Sequence, residues 1–222
     1  MDHHTQQFQS FWNKRQKVFG NTPRSVLFKN LPASINGAIH KQHVRFIIDN
    51  IPESSKSLLD VGCGYGRLAG EIQLARSNLK IQGIELCEEF ARKFAEDFVP
   101  CFQGSMLDYA SSESFDVVLF VTVLMYAQKE AVKQIIEKFW LQLSPGGTFI
   151  CIEPCLNFLI KWQQVREGQE LQALYFKEQE LFDVLHAQPQ SVLTAQRSFG
   201  LLPLINYPAL HYGFVVRKGP VI

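Results

Sequence analysis

No stretch of this chain approaches the roughly 20 consecutive apolar residues of a membrane-spanning helix, so no helical anchor is expected. An excess of either charge is also missing. The 222 residues carry 22 Lys and Arg against 21 Asp and Glu, a formal net charge of +1, which argues against a polyanionic partner such as RNA or DNA. The opening Met1–Ser10 stretch is polar and rich in His and Gln, without the apolar core of a secretory signal, so a cytoplasmic location is expected. The five cysteines, Cys63, Cys87, Cys101, Cys151 and Cys155, are odd in number and contain no C-x-x-C spacing. Most read as small buried thiols in or beside apolar strands, and Cys151 with Cys155 as a packing residue plus a loop thiol rather than a metal or redox pair. No internal repeat, low-complexity tract or linker breaks the chain, which reads as one domain over 1–222.

What is present is concentrated in Leu58–Gly66, which reads Leu-Leu-Asp-Val-Gly-Cys-Gly-Tyr-Gly. An apolar strand runs into an acidic residue and then a G-x-G-x-G turn, the ligand cradle of doubly wound α/β proteins. Dinucleotides and S-adenosylmethionine (SAM) both suit such a turn. A pyrophosphate prefers the positive end of a helix, and Asp60, just ahead of the turn, would repel it. The same carboxylate suits an ammonium and a sulfonium. The dinucleotide fingerprint G-x-G-x-x-G would also need glycine at Arg67. Glu85 ends a second apolar strand, where it can accept both ribose hydroxyls, but both ligand classes carry a ribose.

Strand and helix patterns alternate, as in a parallel sheet covered on both faces. Strands are expected at Ser57–Val61, Lys80–Glu85, Phe98–Phe102, Phe115–Val121 and Thr148–Glu153. Helical stripes run through Leu68, Ile72 and Ala75, through Phe90, Phe94 and Phe98, and from Val132 to Leu143, the last closed by the breaker Ser144-Pro145-Gly146-Gly147. A helix near Glu178–His186 precedes strand-like Ser191–Ser198 and Tyr212–Arg217, an antiparallel pair at the sheet edge.

In this order, the motifs Leu58–Gly66, Gly83-Ile84-Glu85, Gly104-Ser105, Phe115-Asp116-Val117-Val118 and Leu143-Ser144-Pro145-Gly146-Gly147 resemble those of the class I SAM-dependent methyltransferases with a Rossmann-like fold, small-molecule type. The resemblance covers residues 57–153. It implies an α/β, doubly wound, mostly parallel seven-stranded sheet with an antiparallel terminal strand and helices on both faces. It also implies an N-terminal helical cap (1–50), a SAM-binding core (57–153), a lid or insertion (154–180) and a terminal helix with the strand pair (181–222). By this resemblance Gly62, Cys63, Gly64 and Gly66 would pack beneath the methionine and ribose of SAM, and Asp60 would serve the ammonium end through water. Glu85 would hold the ribose hydroxyls and Leu86 would lie against the adenine. Ser105 and Met106 fall where the family has an acidic residue and its neighbour, so the family's acidic contact to the adenine amino group is missing here, while the Met106 N–H can still serve the ring. Asp108 could substitute, or be a solvated turn residue. Backbone at Leu119–Val123, Val121 included, would lie under the methionine carboxylate and the transferred methyl. Val121-Thr122-Val123-Leu124 stands where amino-methyltransferases of nucleic-acid bases carry an Asn-Pro-Pro-Tyr motif, which argues against that chemistry.

Methyl transfer needs alignment more than fixed charge, and a general base only where the nucleophile must lose a proton early. The catalytic residue is unassigned. Candidates at the C-terminal edge of the sheet are Tyr126, Glu153 and His211, the last in a loop with Tyr207. Each has a plainer reading: a helix-entrance cap, a partner of a nearby cation, a surface loop residue. His40 and His43 sit one helical turn apart, but no third ligand accompanies them. A solvated helix face is expected and no metal is assigned. Two aromatic-rich stretches should shape the acceptor pocket: Phe8, Phe11, Trp12, Val18 and Phe19, and Pro154–Phe176 with Phe158, Trp162 and Tyr175. The expected activity is transfer of a methyl group from SAM to O or N of a small, apolar or aromatic molecule. The alternatives are a protein or RNA methyltransferase, a nicotinamide-dependent oxidoreductase, and an inactive SAM-binding module.

Overall fold

The computed structural model describes residues 3–154, 173–200 and 209–220. Three helices lead in: α1 (His3–Phe19), α2 (Pro23–Val26) and α3 (Ala33–Asn50). The core then alternates β1 (Ser57–Val61), α4 (Arg67–Ala75), β2 (Lys80–Glu85), α5 (Glu88–Asp97), β3 (Cys101–Gln103) and β4 (Phe115–Val121). It closes with α6 (Val132–Leu141), β5 (Leu143–Pro154), α7 (Glu178–His186), β6 (Ser191–Gly200) and β7 (Ala209–Lys218).

These strands form a seven-stranded sheet in the order β3-β2-β1-β4-β5-β7-β6. The first five are parallel, β7 runs antiparallel to β5, and β6 runs antiparallel to β7. Successive side chains of a strand point to opposite faces, and the two halves of the core follow that alternation. Leu59, Val118 and Phe120 pack with Ile135, Ile136, Phe139 and Trp140 of α6. Leu58, Val117 and Leu119 pack on the other face with Phe46 and Ile47 of α3, Leu68 and Ile72 of α4, and Phe94 of α5. Both faces of β4 are therefore dry, which explains its nearly unbroken apolar sequence. The chain reverses its winding between β1 and β4, and the crevice beyond the C-terminal ends of those strands is where ligands bind in such sheets.

β6 runs on to Gly200 and β7 covers Ala209–Lys218, both longer than the sequence expectation, and the starts of two other strands differ for local reasons. β3 begins at Cys101 rather than Phe98, because the Phe98 N–H still closes the last turn of α5 on the Phe94 carbonyl and Pro100 has no N–H to donate. β5 begins at Leu143, ahead of the supposed breaker. Phe115 pairs with Leu143 and Val117 with Thr148, so Ser144–Gly147 bulges out of a continuing strand, with Gly146 at φ +79°. Among the described residues no helix is long and apolar enough to cross a membrane.

Candidate functional site

The glycine turn sits at that crevice. The Gly62 and Cys63 N–H groups donate to the Ile84 carbonyl at 2.8 and 3.1 Å, which ties the turn to β2. Gly62 has φ +75°, and a Cβ there would lie 2.6 Å from Cγ2 of Val123. Only glycine fits both demands. From the end of β2, Glu85 crosses to the turn: its Oε2 accepts from the Gly64 N–H at 2.8 Å and its Oε1 from the Cys87 N–H at 2.7 Å. Burial raises the pKa of this carboxyl, and the backbone donors pull it back down. Asp60, in β1, is 1 % exposed and its Oδ2 has no hydrogen-bond partner. Burial pushes its carboxyl up to about 7, against the opposing pull of Arg67.

The cleft above the turn is open on one side, and with its mouth it spans about 1170 Å³ between the residues that line it. Of the residues expected to bind cofactor, Gly62, Cys63, Gly64, Glu85, Leu86, Ser105, Met106 and Val121 line it. Asp60 and Gly66 lie behind the lining. Asp108 is exposed and outside the cleft, so the solvated-turn reading applies to it. Ser105 is buried, with its Oγ accepting from the Leu107 N–H at 3.2 Å.

The far end of the cleft is aromatic. Tyr126 meets Phe8 at 5.3 Å and Trp12 at 5.0 Å between ring centroids, both edge-to-face. Helix α1 is held there by its own polar groups. The Gln9 side chain donates to the Leu86 carbonyl at 3.3 Å, and Arg15 donates to the Arg24 and Leu27 carbonyls at 2.8 Å each. Burial raises the Tyr126 phenol, so it stays protonated near neutral pH, where it can donate a hydrogen bond but cannot serve as a base.

The other two catalytic candidates do not line the cleft. Glu153 is fully buried, and its partners are not a cation but the N–H groups of Val123, Leu124 and Met125, at 3.0, 2.8 and 3.2 Å. It pins the chain as β4 ends, where Thr122 takes φ +56°, a costly conformation for a β-branched residue. His211 is not in a loop but inside β7, 2 % exposed, and packed edge-on against His43 at 4.8 Å. Tyr207 and residues 155–172, with the aromatic stretch they contain, lie outside the described residues. The solvated-face expectation for His43 is overturned, since that side chain is fully buried against Phe199 and His211. His40 instead faces Arg67, so the two imidazoles do not converge. Sequence reasoning missed Arg67, which lines the cleft but had registered only as an absent glycine. Thr122 was missed too, and no sequence signal marks a strained backbone.

Comparisons with known proteins agree with this geometry. Residues 58–147 match the family model described as a methyltransferase domain. A protein of Geobacillus sp. (strain WCH70) named as a methyltransferase is 30% identical over 106 residues, 44% of this chain. The match spans only 42% of that relative's length. The fold is shared with magnesium protoporphyrin IX methyltransferase from Synechocystis PCC 6803, solved with bound SAM, at TM-score 0.71 and 13% identity over 99% of both chains. It is shared too with 1,6-didemethyltoxoflavin-N1-methyltransferase from Burkholderia thailandensis, at TM-score 0.67 and 16% identity over 97% of this chain and 87% of that one. SAM fits the residues present: a turn that a single Cβ would fill, a carboxylate at the end of β2, and a buried Asp60 oxygen still without a partner. Residues 58–147, which span the strands and turns that build this cleft, are thus similar to a methyltransferase domain, and the fold around them is that of SAM-dependent methyltransferases of known structure.

Proposed function

We propose that this protein transfers the methyl group of SAM to an oxygen or nitrogen of a small, apolar or aromatic molecule. The observation that carries the acceptor class is the wall of Phe8, Trp12 and Tyr126, which shares one cleft with the glycine turn. Apolar walls with a few placed polar groups favour flat, poorly hydrated ligands. The two similar solved structures named above act, by their names, on small molecules, which supports the same class here.

SAM supplies an activated methyl on a sulfonium. The chain's own work is binding and alignment, which can contribute ~7–11 kcal/mol to such a displacement. Glu85 receives the ribose hydroxyls, Asp60, behind the lining, serves the ammonium end through water, and backbone from Val121 to Val123 underlies the reacting end. The buried Phe8 and the neighbouring rings keep water from the acceptor. Tyr126 is the catalytic candidate that reaches this chamber, as a hydrogen-bond donor that orients the acceptor. Glu153 and His211 serve the fold around it.

Incubation with methyl-labelled SAM and a metabolite extract, followed by mass analysis, is expected to yield a labelled product of low molecular mass. Label appearing only in protein or RNA would overturn the acceptor class. Trp12→Ala is expected to lower kcat/KM for that acceptor about tenfold, the scale of a lost aromatic contact plus its apolar area, with SAM affinity changed less than about threefold. Trp12→Phe should restore most of the loss.

A further inference from the structure

Two thiols meet beneath the glycine turn, and methyl transfer calls on the sulfur of neither. Cys101 opens β3, and its register partner across the parallel pair is Gly83 of β2. Partners in register put their side chains on the same face of the sheet, with the strands about 4.8 Å apart. Gly83 has no side chain, and Cys63 uses that space from the turn: a Cβ on Gly83 would lie 2.6 Å from its Sγ. The Cys63 sulfur therefore stands where the neighbour of the Cys101 side chain would otherwise be. The two Sγ atoms are 4.0 Å apart.

Access divides the work between them. Cys101 is half-buried on β3, a three-residue strand at the sheet edge, whereas Cys63 is 5 % exposed and lines the cleft. Burial pushes the Cys63 thiol up, so it is a poor nucleophile towards reagents in solution. Attack on a small disulfide falls to the Cys101 thiolate, which bonds to one sulfur of the reagent while the other leaves as a thiolate. Cys63 then attacks the Cys101 sulfur and expels the second reagent sulfur, which takes the Cys63 proton. One reagent disulfide is reduced to two thiols, and two protein thiols are oxidised to one disulfide. The second step is intramolecular, which offsets the small thiolate fraction of Cys63. Cys87 and Cys151 are closed to solvent and do not compete.

We infer that Cys63 and Cys101 form a reversible disulfide, with small-molecule disulfides as the oxidant, and that this bond weakens the cofactor site. Bonded sulfurs lie about 2.0 Å apart, so the pair must close by about 2 Å. β2 is held between β1 and β3 and cannot give way. Cys63 can, because it is flanked by Gly62 at φ +75° and Gly64 at φ +57°. A turn drawn towards β3 takes the Gly64 N–H away from Oε2 of Glu85, the carboxylate that the SAM reading gives to the ribose. The effect on affinity rests on that reading and adds to it a control by thiol redox state. Linkage makes the effect mutual: the factor that oxidation takes from cofactor affinity is the factor by which bound cofactor disfavours the disulfide.

The test compares the full chain after incubation with oxidised glutathione and after dithiothreitol. Each sample is digested without reduction for peptide mass mapping and titrated with S-adenosylhomocysteine by calorimetry. Oxidised protein is expected to yield a peptide pair linking Cys63 to Cys101, and to bind S-adenosylhomocysteine about tenfold more weakly or worse. Dithiothreitol should reverse both changes. Saturating S-adenosylhomocysteine should shift the glutathione ratio needed for half oxidation by about the same factor. Cys101→Ser should bind the ligand within about twofold of reduced wild type, before and after oxidation. Three results would overturn the inference while reduced wild type still binds: a glutathione adduct on Cys101 with no linked pair, a linked pair that leaves affinity unchanged, or the same loss of affinity in oxidised Cys101→Ser. Reduced wild-type protein that binds no S-adenosylhomocysteine would sink the SAM reading itself, and its redox control with it.

Discussion

Changing Gly62 to alanine is expected to abolish measurable SAM binding and to lower the melting temperature. Two costs combine at this position. The first is backbone: φ is +75°, and an L-residue held in that region loses about 1–2 kcal/mol. The second is steric, because the new Cβ would sit 2.6 Å from Cγ2 and 2.9 Å from Cβ of Val123. Val123 cannot easily yield, since its N–H is fastened to Glu153 at 3.0 Å and it follows the strained Thr122. The turn has to move instead, and it is held to β2 through the Ile84 carbonyl. A total near 3 kcal/mol corresponds to roughly 6–12 °C of melting temperature in a chain of this size. Adding Val123→Ala should recover the steric part but not the backbone part. A single variant as stable as the wild type, with SAM affinity unchanged, would show that the close approach is not real.

Glu153→Ala should be the most disruptive single change away from the cofactor. The carboxylate accepts from Val123, Leu124 and Met125 in the dry layer under the end of β4. Truncation leaves those N–H groups without acceptors, at about 1–3 kcal/mol each where no water replaces the lost oxygen. A loss on the order of 3–5 kcal/mol is expected, and the short turn that carries Tyr126 should lose its place, so that turnover falls along with stability. Glu153→Gln keeps an acceptor but sets an amide donor against one N–H, and should cost less. The pH dependence is a second readout. Burial pushes Glu153 up to about 8 from 4.5, and Asp60 up to about 7 from 3.8. In both cases the folded state binds its proton more tightly than the unfolded state. The stabilisation is full below the unfolded pKa values and is lost as pH rises through the folded ones. Melting temperature of the ligand-free protein is therefore expected to fall from pH 5 to pH 8, and Glu153→Gln to flatten part of that slope. A flat wild-type profile would contradict the burial of these carboxyls.

Glu153 also marks the limit of what the sequence reveals. Its strand and its position at the sheet edge were legible from Thr148–Glu153, but its partners lie about thirty residues away in the chain. Nothing local told a catalytic carboxylate from one that ties down a loop. His43 and His211 differ from expectation for the same reason: 168 positions separate them in sequence, and their 4.8 Å contact exists only once α3 packs beside β7. By contrast, Gly62 and Glu85 were readable because their roles are local. A positive-φ turn needs glycine, and a carboxylate closing a strand beside that turn has few places to go. The period-two packing of β4 and the helical stripes carried the sheet and its layers. Strand starts were lost where a proline or a bulge intervened, at Pro100 and at Ser144–Gly147.

The central claim is that this cleft holds SAM through Glu85 and the glycine turn. Calorimetric titration of the wild-type protein and of Glu85→Ala with S-adenosylhomocysteine tests it most directly. Saturable one-site binding is expected for the wild type, weakened tenfold or more in the variant, the loss of about 1.5–3 kcal/mol for hydrogen bonds to a charged group. Wild-type protein that binds no S-adenosylhomocysteine, or a Glu85→Ala variant that binds it as tightly as the wild type, would contradict the account.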